Sequence, residues 1–363
     1  MKRMMIMLAM ASFGMTATAQ TDSIQQLPVL NEKQSEYIPV AQYWKEHNIF
    51  QHLDLSISAG TTGIGIDIAS PIGEYFQLRA GFDYMPRFTA KMKFDVMIGD
   101  KPARQYDESG NRVETTFDRL KEMLHDFNGI EVDDHVDMLG KPTMNNVKLL
   151  LDVFPFKNNK HWHFTAGFYW GPSQFAEAVN TTETMVSLVS ASIYNSMYDK
   201  AINNEPLIDF SKFTDMSGVY VKLPQEAAEK LKSFGRVGFA VGTFSHDVTD
   251  SYGVNHSKGD LYIVEPDENS MIRVNAKSNS IKPYIGFGYG GRLLKKRDDW
   301  KVSFDCGAMF WGGTPDLYVV HDGINLTKDV EDYLNPQVDS YISLLKVFKV
   351  YPVLNFRLTK RIF

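Results

Sequence analysis

The sequence predicts an all-β fold, a closed antiparallel transmembrane β-barrel of eight strands, and three observations lead to this prediction. Eight segments alternate apolar and polar residues with period 2, so that an aromatic face lies opposite a charged one. The connections between these segments alternate between very short and very long. Finally, the chain begins like an exported protein.

The amino terminus has the three parts of a secretory signal peptide. Two basic residues precede an apolar stretch, and Ala17-Thr18-Ala19 provides a small-x-small cleavage site. We therefore predict a cleaved signal peptide over residues 1–19, a polar periplasmic lead-in over 20–50 and the barrel with its loops over 51–363. The mature sequence contains no apolar run of the roughly 18 residues that a transmembrane helix needs.

The strands follow from the period-2 alternation. The first two flank a tight Gly60-Thr61-Thr62-Gly63 turn, across which the apolar phase changes. Turn residues or long polar insertions separate the others. In chain order, the predicted strands cover 53–59, 64–69, 76–84, 147–154, 162–170, 281–292, 300–310 and 350–359.

The connections predict how the barrel is oriented. Three short turns alternate with three long insertions, at 70–74, 157–160 and 294–299 and near 87–144, 172–279 and 313–347. If the first strand runs outward from the periplasm, every short turn after the first is periplasmic and every long insertion is extracellular. Both termini then lie in the periplasm, which matches the asymmetry of outer-membrane barrels.

The insertion near 172–279 is predicted to carry short helices. Residues 185–201 repeat apolar side chains at helical spacing, and 225–232 form a second helical pattern after Pro224. Two short alternating runs follow, at 236–244 and 261–274. They fit a loop hairpin or strand extensions beyond the membrane; if they spanned it, the barrel would have ten strands.

The two faces of the strands decide between a membrane barrel and a soluble sandwich. One face is continuously apolar, and its Trp and Tyr residues lie near strand ends, as membrane interfaces require. Burying the charges of the other face between two sheets would cost several kcal/mol for each ion. Inside an eight-stranded barrel they can fill the lumen as an ion-pair network, an interpretation we favour over a selective pore. The predicted lumen charges are Asp54, Asp67, Arg79, Asp83, Lys148, Asp152, Lys282, Arg292, Lys301, Asp305 and Arg357.

The composition excludes several classes of protein. The 363 residues are 44% hydrophobic, 13% aromatic and 23% charged, which is incompatible with wholesale disorder. Cys306 is the only cysteine, so neither an intramolecular disulfide nor a cysteine-based metal site can form. The net charge of −6, without a basic block, predicts no nucleic-acid partner. The low mean hydropathy of −0.25 averages an apolar exterior with a charged interior.

Several stretches resemble the strand signatures of small outer-membrane β-barrel proteins of Gram-negative bacteria, and are most similar to porin-like proteins with eight strands. These stretches are GTTGIGIDIASPIGEYFQLRAGFDY, LLLDVFPFKNNKHWHFTAGFYWG, IKPYIGFGYGG, DWKVSFDCGAMFWGGTPDL and YPVLNFRLTKRIF. The resemblance covers most strands and little of the long insertions. It implies that the barrel-assembly machinery reads Phe363 as its assembly signal.

Three residues depart from the pattern. Lys360 falls on the lipid-facing phase, which predicts that the last strand carries a bulge or ends before this residue. Pro283 and Pro352 occupy strand positions, where proline is tolerated at strand entries.

Three local patterns were considered as sites. His161 and His163 would point the same way on a strand and could share a metal, but a pair beside the aromatic girdle is the favoured interpretation. The acidic stretch Asp133-Asp134-His135 with Asp137 is better explained as a solvated loop or loose cation binding than as a protease site. The Gly286-x-Gly288-x-Gly290 pattern has period 2 and is expected to make room for bulky lumen side chains rather than to bind a nucleotide.

These observations predict a non-enzymatic outer-membrane barrel with a structural or surface-interaction role. No catalytic, cofactor-binding or metal-binding residues are assigned, and no cofactor is expected. The expected partners are outer-membrane lipid, the barrel-assembly machinery during insertion and a protein that binds the extracellular cap. A narrow porin or small-solute channel is the alternative.

Overall fold

The period-2 segments form the strands of a barrel in the computed structural model, which describes residues 40–99, 101–128, 132–209, 220–294, 297–347 and 349–362. The chain divides into two units, Met1–Tyr43 and Trp44–Phe363, and the description below concerns the second unit. The predicted signal peptide, most of the predicted lead-in and Phe363 lie outside the described residues.

The elements are numbered in chain order. The strands are β1 (Asp54–Gly60), β2 (Gly63–Ile72), β3 (Phe76–Tyr84), β4 (Ala90–Asp95), β5 (Met97–Ile98), β6 (Lys101–Pro102), β7 (Gln105–Tyr106), β8 (Arg112–Val113), β9 (His135–Pro142), β10 (Asn145–Val153), β11 (Trp162–Trp170), β12 (Gln174–Asn180), β13 (Ile208–Asp209), β14 (Tyr220–Val221), β15 (Val237–Phe244), β16 (Val248–Thr249), β17 (Asn255–His256), β18 (Leu261–Val264), β19 (Arg273–Lys277), β20 (Ile281–Leu294), β21 (Arg297–Phe310), β22 (Asp316–Val319), β23 (Val330–Glu331) and β24 (Val350–Arg361). The helices are α1 (Val40–Glu46), α2 (Thr116–Asn128), α3 (Met185–Ile202), α4 (Gln225–Phe234) and α5 (Pro336–Val347).

Eight strands close into an antiparallel barrel in the order β1-β2-β3-β10-β11-β20-β21-β24. The last strand pairs with the first, with Leu358 opposite Ile57, so the sheet has no free edge. The prediction of a closed eight-stranded barrel is confirmed. We call the end with the turns after β2 and β10 the turn end, and the opposite end, from which the long insertions leave, the cap end.

The alternation along each strand sorts side chains between the two faces of the wall. In β2 the burial pattern alternates strictly, with Ile64, Ile66 and Ile68 about half-exposed on the outside and Asp67 buried inside. Outward aromatic residues lie at both ends, with the rings of Trp162 and Tyr289 4.8 Å apart at the turn end and Tyr84 and Trp170 exposed at the cap end. The outer surface is therefore the apolar, aromatic-edged surface that a lipid bilayer requires.

The last strand differs from the prediction. β24 pairs with β21 without a register shift from Val350 to Lys360, so the predicted bulge or early end before Lys360 is wrong. Lys360 points outward, and its ammonium lies 5.4 Å from the centre of the Trp300 ring. A cation stacked on an aromatic ring near the interface retains access to water, so the lipid-facing phase does not exclude it. Pro283 and Pro352 are each the third residue of their strand, close to the strand entries.

The long insertions fold together into a cap. Five of its strands form a sheet in the order β22-β19-β12-β9-β4. Each of these cap strands is the neighbour in sequence of one barrel strand. The corresponding barrel strands, β21, β20, β11, β10 and β3, are paired in the same order in the barrel wall. A second sheet contains β18-β15-β5-β6, with β23 paired to β15. The alternating runs at 236–244 and 261–274 therefore lie in the cap as β15, β18 and β19, and the barrel has eight strands rather than ten.

The cap is held together by its own apolar core, which connects the two sheets to helices α2 to α5. Phe244 and Ile342 are fully buried in this core. Phe117 and Leu120 of α2 are at most 2% exposed. Helix α4 begins after Pro224 and ends at Gly235, whose φ of 89° allows the chain to leave the helix. None of the described helices is both long and apolar enough to span a bilayer.

Candidate functional site

The barrel lumen is the candidate functional site, and its contents change along the barrel axis. Apolar side chains gather toward the cap end and interleave with the ion pairs, since Leu150 lies between Lys148 and Asp152 on β10, and a cavity occupies the turn end. We call these three parts of the lumen the apolar plug, the ion-pair layer and the vestibule.

One half of the ion-pair layer is built around Lys148. Its ammonium lies 2.8 Å from Asp67 and 2.6 Å from Asp83, and each of the three residues is 1% exposed. The strand register explains the cluster, because Gly81 pairs with both Asp67 and Lys148. A Cβ at Gly81 would overlap the Asp67 carboxylate, so only glycine leaves room for the pair.

The other half contains two arginines and two aspartates. Arg79 donates to Asp152 at 2.7 Å, and Arg357 Nε lies 3.2 Å from an Asp305 oxygen. The two pairs are joined, because Arg79 lies 3.7 Å from Asp305 and Arg357 lies 3.8 Å from Asp152. Each charge therefore has more than one opposite charge nearby, which offsets part of its desolvation cost.

Histidine and glycine complete this half of the layer. His163 is 4% exposed, and its Nε2 lies 2.7 Å from Asp305 Oδ1. A Cβ at Gly288 would overlap both the His163 ring and the Asp305 carboxylate. The glycine thus makes room for bulky lumen side chains.

The structure does not bring all the predicted lumen charges together. Asp67, Asp83 and Lys148 form one cluster and Arg79, Asp152, Asp305 and Arg357 the other. Asp54 and Lys301 lie in the vestibule. Arg292, opposite Lys301, is exposed at the turn end. Lys282 lies apart at the cap end, fully buried, with the Pro172 carbonyl oxygen 3.5 Å away.

The apolar plug lies in the lumen toward the cap. It is formed by Met144, Leu150, Tyr169, Tyr284, Met309, Trp311 and Val353, which are between 0% and 6% exposed. The Tyr169 and Tyr284 rings meet edge to face, with 5.4 Å between their centres. These side chains pack against one another and are almost completely buried at the cap end.

The vestibule is a cavity of about 410 Å³ surrounded by the turn-end residues of the strands. Asp54 is 2% exposed and accepts a hydrogen bond from Gln77 at 3.2 Å. Its carboxylate lies 3.4 Å from Arg361 and 4.0 Å from Lys301. The floor is formed by Arg357 and His163 of the ion-pair layer.

Sequence reasoning missed several of these residues. Arg361 and His52 were not assigned to the lumen, and Tyr169 and Tyr284 were not recognised as part of an apolar plug. His163 was weighed as a metal ligand, although it points inward beside Asp305. The signal was available, since each of these strand residues alternates with the outward apolar residues of its strand.

The patterns weighed as sites have separate structural partners. His161 Nδ1 lies 2.6 Å from the Gly290 carbonyl oxygen, whereas His163 pairs with Asp305. In the cap, Asp134 pairs with both Arg104 and His135, and the hydrogen bonds from Arg104 lower the pKa of Asp134. Across the described ranges, no group of three or more His, Cys, Asp or Glu side chains is placed to hold a metal ion.

No protein-family model and no curated protein matches the sequence. Among solved structures, the crystal structures of CarO2 and CarO from Acinetobacter baumannii were found, with 14% and 13% sequence identity and TM-scores of 0.36 and 0.34. Each match covers 85% of this chain, with 98% of CarO2 and 97% of CarO.

The class of the protein is established by the barrel itself. A closed wall of eight antiparallel strands with an apolar, aromatic-edged exterior and a charged interior defines a small β-barrel of the outer-membrane type.

Proposed function

We propose that this protein is a closed, non-conducting outer-membrane barrel that presents a folded cap on the cell surface and acts there as a structural or interaction protein. The observation that carries the proposal is the continuous filling of the lumen from the ion-pair layer to the apolar plug. Lys148, Asp152 and Leu150 of a single strand are each at most 2% exposed. Eight strands enclose a lumen only wide enough for side chains, and here those side chains are large.

The cap supports the interaction role. An insertion that served only to connect strands would not need a buried apolar core, yet Phe244, Ile342 and Val319 are fully buried in the cap. A rigid folded unit outside the membrane is suited to binding a partner, because its surface is already ordered before binding. The proposed role is non-enzymatic and involves no catalytic residues.

Planar-bilayer recording of the full chain, folded in detergent and inserted into the bilayer, tests the closed barrel. We expect no steady conductance steps, because buried side chains occupy the lumen at both the plug and the ion-pair layer. A matched variant, Tyr169→Ala with Tyr284→Ala, thins the plug while the Lys148 cluster stays intact. Steady ohmic steps from the unmodified protein would contradict the proposal.

A narrow channel is the second candidate, and the vestibule favours it, because a cavity already occupies the turn-end part of the lumen. This candidate requires the plug and the ion-pair layer to rearrange. The same recordings decide between the two functions.

Export and orientation are also proposed, from the signal peptide over residues 1–19 and the single side on which the long insertions lie. Protease added to intact cells should cut the cap while leaving the barrel whole. Amino-terminal sequencing of the mature protein should start at Gln20. A protein that fractionates with soluble periplasmic proteins would contradict this placement.

A further inference from the structure

The vestibule has the size and shape of a small-molecule site. Its volume of about 410 Å³ lies within the roughly 300–1,000 Å³ typical of ligand pockets. The ion-pair layer forms its floor and the turn-end residues of the barrel strands form its walls. Buried side chains of the ion-pair layer and the plug lie beyond the floor, so the vestibule is entered from the turn end.

Basic side chains exceed acidic ones around this pocket. The bases are Lys160, Arg292, Lys301, Arg357 and Arg361, and the acids are Asp54 and Glu74. Glu74 pairs with Lys157 at 2.8 Å, and 52% of the Glu74 side chain is exposed at the rim. Asp54 is therefore the buried carboxylate among these lining residues, and a concave basic wall of this kind concentrates anions.

Asp54 does not use up the hydrogen-bonding capacity of the two cations nearest to it. Its carboxylate lies 3.4 Å from Arg361 and 4.0 Å from Lys301, whereas the ion-pair layer has distances of 2.6 to 2.8 Å around Lys148. Arginine has five N–H donors and lysine three, so each retains donors for another acceptor. Both side chains are also partly exposed, 37% for Arg361 and 42% for Lys301, which leaves them accessible from the turn end.

We propose that the vestibule binds a small solute that carries an oxyanion, either a carboxylate or a phosphate group. Lys301 and Arg361 are the contacts that hold the oxyanion, and Asp54 competes with it for the same two cations. This inference goes beyond the proposed function, because the vestibule can bind a solute whether or not the barrel conducts.

Isothermal titration calorimetry on the full chain, folded in detergent at low salt, tests the proposal. Succinate represents the carboxylates, inorganic phosphate represents the phosphates, and succinamide is the uncharged control. We expect saturable binding of at least one of the two anions and none of succinamide. Which anion binds more tightly identifies the class of ligand.

Three substitutions and one matched control locate the site. Lys301→Gln and Arg361→Gln should each weaken binding about tenfold or more, because each removes a charge-assisted hydrogen bond. Asp54→Asn should tighten binding several-fold, because it removes the internal competitor while keeping the shape. Lys232→Gln, which removes an exposed cation of α4 in the cap, should leave the affinity unchanged.

The opposite signs separate ligand binding from a purely structural role, since damage to the fold would weaken binding in every variant. Heat-dependent gel mobility of each variant verifies that the barrel is folded. The proposal is overturned if neither anion binds saturably, if Lys301→Gln and Arg361→Gln bind as tightly as the unmodified chain, or if Asp54→Asn weakens binding.

Discussion

The barrel and the cap of this protein place their charges in opposite ways. In the barrel, isoleucines such as Ile66 face outward at 59% exposure while Lys148 and Asp67 lie inside at 1%. In the cap, Phe244 and Ile342 lie inside at 0%, and ion pairs such as Arg104 with Asp134 lie near the surface. The side chains that face outward are therefore those suited to lipid around the barrel and to water around the cap.

This difference implies that an ion pair contributes a different amount of stability in the barrel and in the cap. A lumen charge is removed from water, so it depends on its partner to offset the desolvation cost. A charge on the cap is hydrated whether or not it is paired, so its pairing adds little. The comparison therefore predicts that charge substitutions act mainly in the barrel and apolar substitutions mainly in the cap core.

The largest effect is expected for Lys148→Met. The substitution leaves Asp67 and Asp83 buried beside each other without their shared cation, which should lower the stability of the barrel by about 3–5 kcal/mol. Urea titration in lipid vesicles, followed by heat-dependent gel mobility, measures the change.

Lys282→Met is the matched control for this prediction. Lys282 is equally buried in the same lumen, but within the described ranges it has no carboxylate partner, so its removal should be neutral or stabilising. Equal losses in the two variants would show that lumen charges contribute by packing alone and would break the comparison.

The next effect concerns the cap core, with Ile342→Ala. Ile342 is fully buried on α5, and deleting its side chain should destabilise the cap by about 2–5 kcal/mol through lost burial and the cavity left behind. The barrel should keep its resistance to unfolding, because Ile342 packs in the cap core and not in the lumen. Limited proteolysis of the cap and gel mobility of the barrel measure the two regions separately.

Val186→Ala on α3 is the control for the cap, because Val186 is 59% exposed and its truncation should change little. If Ile342→Ala lowers the stability of barrel and cap equally, the two regions unfold as one unit and the comparison has to be restated for a single cooperative structure.

The barrel could be predicted from the sequence, because a strand has a period of two and each inward charge marks the phase of its neighbours. Phase alone did not assign roles, so Tyr169 and Tyr284, which have the inward phase of their strands, were not identified as a plug. The phase of Lys360 also gave a wrong prediction, a bulge or an early strand end. A rule against charge on the lipid-facing phase takes no account of the Trp300 ring beside Lys360.

The cap was the least predictable region. Helix α3 was expected from its apolar spacing, and it covers Met185–Ile202. The sheet β22-β19-β12-β9-β4 was not expected, because its strands are only four to eight residues long and pair across three separate insertions. Such pairing depends on contacts distant in the chain, which local patterns do not record. Likewise, the vestibule depends on residues from all parts of the barrel meeting at one end.

The smallest effect is expected for Asp134→Asn, which compares a surface ion pair of the cap with the buried pairs of the barrel. Hydrogen bonds from Arg104 lower the pKa of Asp134 from its ordinary value of 3.8, so the folded cap binds this proton less readily than the unfolded chain does. The contribution of Asp134 is therefore complete above pH 3.8 and is lost as the pH falls through the lower pKa of the folded state.

Because this pair is partly hydrated, with 17% of the Asp134 side chain and 36% of the Arg104 side chain exposed, its contribution should be about 1 kcal/mol or less. Urea unfolding of the cap at neutral pH and below pH 3.8, followed by proteolysis, should show a smaller acid-induced loss for Asp134→Asn than for the unmodified protein. Asp126→Asn, at a side chain that is 88% exposed, should leave the acid-induced loss unchanged. A loss for Asp134→Asn at neutral pH as large as that of Lys148→Met would mean that surface pairs and lumen pairs are equivalent, which the difference in burial argues against.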